Sequence, residues 1–266
     1  MPLRVGAVQA VAVPGDLSAN LTAAARWVGA AGERGVGLLA FPEAFVTGYD
    51  LEVLAGPLPP AEQLDWLDEV QRAVGEHHLV VVLPSPLERG DRATLSSLVL
   101  APGRLPVAAY DKQHLDATER ARFTAGERAL VLEVEGVRVG ISICYDASFP
   151  EHAAEAAAAG AQVYLNSGAW FPGGEHRRDL HHRARALDNG VYVVFAGLVG
   201  APSDFIGGSA VYDPEGRLLA GLDEAVEGLV VADLDPWLVE EIRTVQRMWA
   251  DRRPSAGVDR VVIDGR

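Results

Sequence analysis

The chain has 266 residues, 49% of them hydrophobic, a net charge of −14 and a single cysteine. That length suits one large α/β domain or two small ones with room for a core, and the apolar fraction argues against disorder. The acidity argues against nucleic acid, whose binding rests on Lys and Arg neutralising phosphates, and against a polybasic membrane attachment; one cysteine excludes an intramolecular disulfide.

The first segment, MPLRVGAVQAVAV, reads as a buried strand with an Arg inside it and not as a secretory signal, and no apolar run approaches the ~20 residues of a membrane helix. Cytoplasm is the expected location. Strand and helix signals then alternate. Residues 3–11 are a strand, 18–33 a helix capped by Ser18, and 35–41 a buried strand. An amphipathic helix follows over 61–76, then a buried strand over 78–84. Strands 95–101 and 106–110 are joined by a turn at Pro102-Gly103, and 111–128 is polar and irregular. The pattern then recurs: VRVGISIC (137–144) echoes LRVGAVQA (3–10) down to the Arg-Val-Gly core. An Ala-rich helix follows, then AQVYLN (161–166), a helix over 176–189, and the buried strand 191–197. A hairpin turns at Asp213 to Gly216. Strand 227–235 and helix 236–246 close the pattern. No low-complexity linker interrupts it, so 1–266 reads as one domain with an internal duplication. The tail 250–266 is either an arm across a subunit interface or loose.

Buried strands followed by helices imply sheets covered by helices, and in such sheets chemistry collects at strand carboxyl ends. Three ends carry candidates. Cys144 stands at a strand-to-helix turn, where backbone N–H groups and a helix dipole would lower its pKa and hold an oxyanion; a buried structural cysteine is the alternative. Glu43 follows a buried strand among Phe, Pro and Ala, where desolvation would raise its pKa toward that of a general base; a surface carboxylate is the alternative. Lys112 is the only lysine among 23 Lys plus Arg residues. Arg replaces Lys on a solvated surface, but not where a compact ammonium is needed; the alternative is a chance survivor.

The histidines suggest no Cys–His pair. His114, close to Lys112, is expected to support the site. His77, His78 and His152 lie in or beside helices or strand starts. His176, His181 and His182 lack metal-ligand spacing and read as a solvated helix face.

FPEAFVTGYD (41–50), YDKQHL (110–115) and ISICYDASFPE (141–151), in that order, resemble the three signature blocks of the nitrilase, or carbon–nitrogen hydrolase, superfamily. ERARFTAGE (119–127), GAQVYLNSGAW (160–170), RARALDNGVYVV (183–194) and IGGSAVYDPEG (206–216) match its supporting blocks, so the resemblance covers nearly the whole chain. It implies an αββα sandwich that forms homodimers or larger homo-oligomers, with no metal or organic cofactor. It also implies a cysteine amidohydrolase in which Glu43 moves the proton, Cys144 attacks, and Lys112 with the backbone N–H of Tyr145 holds the oxyanion. Glu119 matches the family's second glutamate, which would hold Lys112 and position the substrate nitrogen.

The chain departs from the pattern at Ser148, where Arg is usual, and at Leu95 and Gly197, where Asn is common; these positions are expected to support the pocket wall and to bear on substrate class. Tyr-Asp after the cysteine resembles amide-cleaving branches and not the Cys-Trp-Glu of nitrile-cleaving ones. No Arg pair follows the cysteine as in N-carbamoyl branches. A wall of Tyr49, Tyr145, Trp170 and Phe171 would select small uncharged aliphatic amides. Arg177 and Arg178 are either a solvated helix face or a carboxylate-binding pair, the latter implying an ω-amidase-like or N-carbamoyl substrate. An inactive binding protein on the same scaffold is the reading from another class; ammonia release separates it from the enzyme.

Overall fold

Period-two alternation along the strands sorts their side chains between cores. Leu3, Val5 and Ala7 join Val137, Val139, Ile141, Ile143, Val163, Leu165 and Val194 in one buried cluster. The alternate residues face outward: Val8 packs with Ala24, Val28, Val70 and Val74, and Tyr164 and Val193 pack with Ala153, Ala157 and Ala186. The first cluster fills the space between two sheets and the other two lie between each sheet and its helices, which makes the layers αββα. The structure is a computed structural model and describes residues 2–222, 226–253, 257 and 260.

In chain order the elements are β1 (Leu3–Gln9), α1 (Leu17–Gly32), β2 (Leu38–Ala40), α2 (Leu51–Ala55), α3 (Asp68–His77), β3 (Val80–Arg89), β4 (Arg92–Leu100), β5 (Val107–Asp111), β6 (Val131–Val134), β7 (Val137–Ile143), α4 (Pro150–Ala158), β8 (Val163–Gly168), α5 (Glu175–Asn189), β9 (Tyr192–Gly197), β10 (Val199–Gly200), β11 (Phe205–Ile206), β12 (Ala210–Tyr212), β13 (Leu218–Gly221), β14 (Gly228–Leu234) and α6 (Pro236–Val245). The first sheet runs β14-β1-β2-β3-β4-β5 and the second β13-β12-β9-β8-β7-β6. Read from β14 and from β6, each has one antiparallel edge strand, three parallel strands and two antiparallel ones. The duplication read from the Arg-Val-Gly repeat is therefore a repeated topology, except that the end of the chain supplies the first sheet's edge. The repeat's glycine has a packing reason in the second half: a Cβ on Gly140 would stand 2.7 Å from the Cβ of Ala156, so α4 could not lie this close to β7.

Several expected elements differ. Helix α1 is capped by Asp16 and not Ser18, because the Asp16 side chain accepts from Ala19 N. The helix expected over 61–76 begins only at Asp68: Ala61 N donates to Glu88 O, which holds the preceding segment against β3, and a 3-10 turn spans Asp65–Leu67. Strand β3 runs to Arg89, past Pro84 and Pro86. Proline is tolerated there because β2 pairs only with Val80, Val81 and Val82, so no ladder partner on that side needs an N–H from Pro84 or Pro86. Strand β6 was not expected; it folds onto β7 through Glu135 and Gly136, both at positive φ, a two-residue hairpin turn. Most of the tail 250–266 lies outside the described residues; within it Arg252 donates to Asn189 Oδ1 at the end of α5. Among the described residues no helix is long and apolar enough to cross a membrane.

Candidate active site

Glu43 lies three residues past β2, Lys112 directly after β5 and Cys144 directly after β7. All three strands end on the same side of the sandwich, and the residues meet between the sheets. Lys112 is held by its backbone, whose N–H donates to Leu95 O while its carbonyl accepts from Gly126 N. Gly126 is needed for that approach: a Cβ there would fall 2.1 Å from Asp111 O. The segment 111–128, irregular as expected, is thus fixed by main-chain bonds and a 3-10 turn at Glu119–Ala121.

The Lys112 Nζ donates to Glu43 Oε1 at 2.7 Å and to Glu119 Oε1 at 2.6 Å. Tyr49 OH also donates to Glu119 Oε1, and Asp116 N to Glu119 Oε2. Glu43 and Lys112 are each 1% exposed and Glu119 3%. Burial raises the pKa of Glu43, and the negative Glu119 adds to this; Lys112 opposes both, and the result is about 7. Burial alone would lower Lys112, but Glu43, Cys144 and Glu119 outweigh it, so its pKa is raised and it stays an ammonium. One cation between two carboxylates keeps one of them able to hold a proton near neutrality. Glu43 Oε2 is buried without a hydrogen-bond partner, which leaves it available to a proton from a neighbour.

Cys144 is half-buried at φ +43, a left-handed conformation that costs a non-glycine residue roughly 1–2 kcal/mol. Its thiol points toward Ala169 O at 3.7 Å. The expected lowering of its pKa is reversed: burial and then the negative Glu43 push it well above the ordinary thiol value, and Lys112 only partly offsets them. The thiol is therefore protonated at rest, chiefly because burial disfavours the thiolate.

Cys144, Lys112 and Glu119 open onto a cavity of about 300 Å³ whose wall includes all four expected residues, Tyr49, Tyr145, Trp170 and Phe171. Glu43 stands behind that wall. Ser148 also lines the cavity, whereas Leu95 and Gly197 do not. Leu95 contributes its carbonyl to Lys112, and a side chain at Gly197 would meet Gly207 O at 2.9 Å, so these two departures act on the scaffold and not the wall. Arg177 and Arg178, successive on α5, point different ways. Arg177 lines the cavity mouth; Arg178 is buried, ion-paired with Asp179 and donating to Gly207 O. Neither the pair nor a wholly solvated face describes them.

Several supporting residues lie in the motif blocks or near them, but their partners had no signal in the sequence. Asp146 is buried, and its carboxylate accepts from His114 N and Nδ1, Tyr110 OH and Ile143 N. Burial would raise its pKa, but these donors and His152 outweigh it, so the value is lowered. His114 thus sits beside the site as expected, stacked on Phe149 and bound to Asp146. His182, read as solvated, is fully buried; burial and then Arg178 lower its pKa to about 3, and the neutral ring meets Asn166 Oδ1 at 3.1 Å. Asn166 Nδ2 in turn donates to Cys144 O at 3.4 Å, and Arg185 Nε to Ala147 O at 2.9 Å, so β8 and α5 brace the turn after the cysteine.

Comparison with known proteins gives the family. The family model described as carbon-nitrogen hydrolase matches residues 4–244. The chain belongs to that family. This carbon–nitrogen hydrolase is similar to an (R)-stereoselective amidase of Pseudomonas sp, 34% identical over 88% of this chain and 86% of the relative. It is also similar to a deaminated glutathione amidase of Escherichia coli O157:H7, 36% identical over 84% of this chain and 87% of the relative. Among solved structures it superposes with TM-score 0.80 on a mutant amidase of Nesterenkonia sp. AN1 carrying acrylamide added at its active-site cysteine. The identity there is 28%, over 93% of this chain and 99% of that one.

Proposed function

We propose that this carbon–nitrogen hydrolase is an amidase that converts a small amide to carboxylic acid and ammonia through a thioester on Cys144. The observation that carries the reading is the Lys112 ammonium held between Glu43 and Glu119, on the cavity into which the Cys144 thiol opens. Glu43 takes the thiol proton as sulfur attacks the amide carbon. The ammonium of Lys112 and the N–H of Tyr145 hold the oxyanion that forms. Collapse breaks the C–N bond, and Glu43 gives its proton to the departing nitrogen, which leaves as ammonia. Glu43 then takes a proton from water; the hydroxide attacks the thioester, the acid departs and the proton returns to sulfur. Glu119, fixed by Tyr49 and the Asp116 amide, keeps Lys112 in place and faces the substrate nitrogen. The homodimer implied by the family resemblance is part of this reading, and sedimentation velocity measures it.

Since Glu43 must be ionised to accept the proton and its pKa is about 7, activity should be full above that value. Below it, kcat/KM should fall about tenfold per pH unit as Glu43 becomes protonated. A pH–rate profile between pH 5 and about 9 measures this; a flat acid limb would remove Glu43 from the role of base.

The aromatic wall and the cavity of about 300 Å³ favour a short aliphatic acyl group. A second reading rests on Arg177, which faces the cavity mouth and could pair with a carboxylate on the substrate. A panel of acetamide to butyramide, ω-amides of dicarboxylic acids, the matching nitriles and ureido acids, scored by ammonia release, tests both. Neutral amides are expected to lead nitriles and ureido acids. A carboxylate-bearing substrate ahead by tenfold, about 1.4 kcal/mol, and losing that lead in Arg177→Ala would replace the first reading by the second.

A further inference from the structure

The two sheets that carry Lys112 and Cys144 meet through aliphatic side chains. Such contacts set a spacing, but they are non-directional and do not by themselves fix how one strand end stands against another. The proposed chemistry needs more than spacing, since a misplacement of about 1 Å at a reacting centre can cost on the order of 10²-fold. Between the segment that follows β5 and the turn that follows β7, a buried carboxylate makes a directional link. Asp146 Oδ1 accepts from His114 N at 2.8 Å and His114 Nδ1 at 2.9 Å; Oδ2 accepts from Tyr110 OH at 2.6 Å and Ile143 N at 3.0 Å. Tyr110 and His114 stand two residues before and two after Lys112. Ile143 immediately precedes Cys144, and Asp146 itself belongs to the turn that follows.

We propose that Asp146 is a positioning residue for this hydrolase: its carboxylate clamps the segment carrying Lys112 to the turn carrying Cys144 and so sets where the ammonium stands relative to the sulfur. Asp146 is fully buried and does not line the cavity, so it acts through the residues it holds. Its four donors occupy both oxygens, a set that only a carboxylate satisfies, because an amide of the same shape would turn an NH2 toward one pair of them. The network behind it is ordered in one direction. Tyr110 has one proton and gives it to Asp146, so His152 Nε2 donates to Tyr110 oxygen at 2.9 Å and His152 Nδ1 accepts from Tyr164 OH at 3.0 Å. Each hydroxyl and ring nitrogen in the line is thereby satisfied. The clamp also keeps the turn closed against the left-handed backbone of Cys144.

The inference rests on the reading of Lys112 and Cys144 as working partners, and the test separates the two. In Asp146→Asn, the intact sites are counted as Cys144 thiols that iodoacetamide alkylates in the folded protein, by mass spectrometry, and turnover is expressed per counted site. The expected result is kcat per site lower by about 10- to 50-fold with KM within threefold. A merely structural role would lower the melting temperature and the number of sites but leave kcat per site within twofold, and that outcome overturns the proposal. Should Asp146→Asn fail to fold, Tyr110→Phe and His114→Ala each remove one side-chain donor and keep the carboxylate. Each should lose about three- to tenfold in kcat with KM unchanged, and wild-type kcat in both overturns the proposal equally. A Cys144→Ala control that still released ammonia would instead overturn the reading of the site.

Discussion

Cys144→Ala is expected to bring ammonia release down to background, a loss of about 10⁴-fold or more in kcat, as for nucleophiles whose removal leaves only binding and oxyanion stabilisation. The fold should survive. The thiol's hydrogen bond to Ala169 O is weak at 3.7 Å, and Ala at φ +43 carries the same backbone cost as Cys. Cys144→Ser should be nearly as inactive. Because the thiol is protonated at rest, with its pKa pushed up by burial and by Glu43, alkylation by iodoacetamide should be slow in Glu43→Gln, which has no base to offer. Mass spectrometry should find a single adduct in the wild type, at the one cysteine, with activity lost in proportion. An alkylated protein that keeps full turnover would remove Cys144 from the mechanism.

Lys112→Arg should be almost as damaging as Lys112→Ala. The chain uses Arg at every other basic position, so the ammonium at this one is a matter of shape. Lys112 Nζ sits 2.7 Å from one carboxylate and 2.6 Å from another, in a space 1% exposed. A planar guanidinium is larger, and placing it there displaces Glu43, Glu119 or the oxyanion. Loss of an oxyanion donor costs about 10²–10³-fold in kcat, and a shifted Glu43 adds to that. The effect belongs on kcat more than KM, since the oxyanion exists only in the transition state. Lys112→Ala differs in stability. It leaves two buried carboxylates facing each other without a cation, which costs roughly 3–5 kcal/mol unless Glu43 binds a proton. Steady-state kinetics with circular dichroism on the two variants decides the matter. A kcat for Lys112→Arg within twofold of wild type would mean that any cation serves.

Much of this is legible in the sequence. Glu43, Lys112 and Cys144 could be singled out because each closely follows an apolar strand, and a strand of that kind announces both its burial and its carboxyl end. The lone lysine and lone cysteine sharpened the choice, since composition had removed those residue types elsewhere. The four aromatic wall positions followed from the motifs around them. By contrast, β6 was missed because its turn is Glu-Gly and not the Asn-Gly or Asp-Gly pair that marks such hairpins. The length of β3 was missed because two prolines interrupt it, and only the shortness of β2 makes them harmless.

The sequence by itself determined that sheets are covered by helices, that the pattern repeats and which candidate groups follow the strands, because these depend on local periodicity and on which residues follow a strand; the αββα layering was implied by the family resemblance. Tertiary structure decided what depends on the sign and direction of neighbours far away in the chain. Cys144 was expected to be a thiolate beside a helix end; burial, and then Glu43 from the other sheet, make it a thiol. Arg177 and Arg178 are about 100° apart on α5, so they had to face differently, but only packing showed that Arg177 takes the cavity and Arg178 the Gly207 carbonyl. His182 lies on a helix rich in charged residues and is nonetheless fully buried, because that side of α5 lies on β8 and β9. Asp146 looked like part of a motif. It is a clamp because Tyr110, His114 and Ile143 converge on it from two sheets, and convergence of that kind is set by the fold as a whole and leaves no period in the sequence.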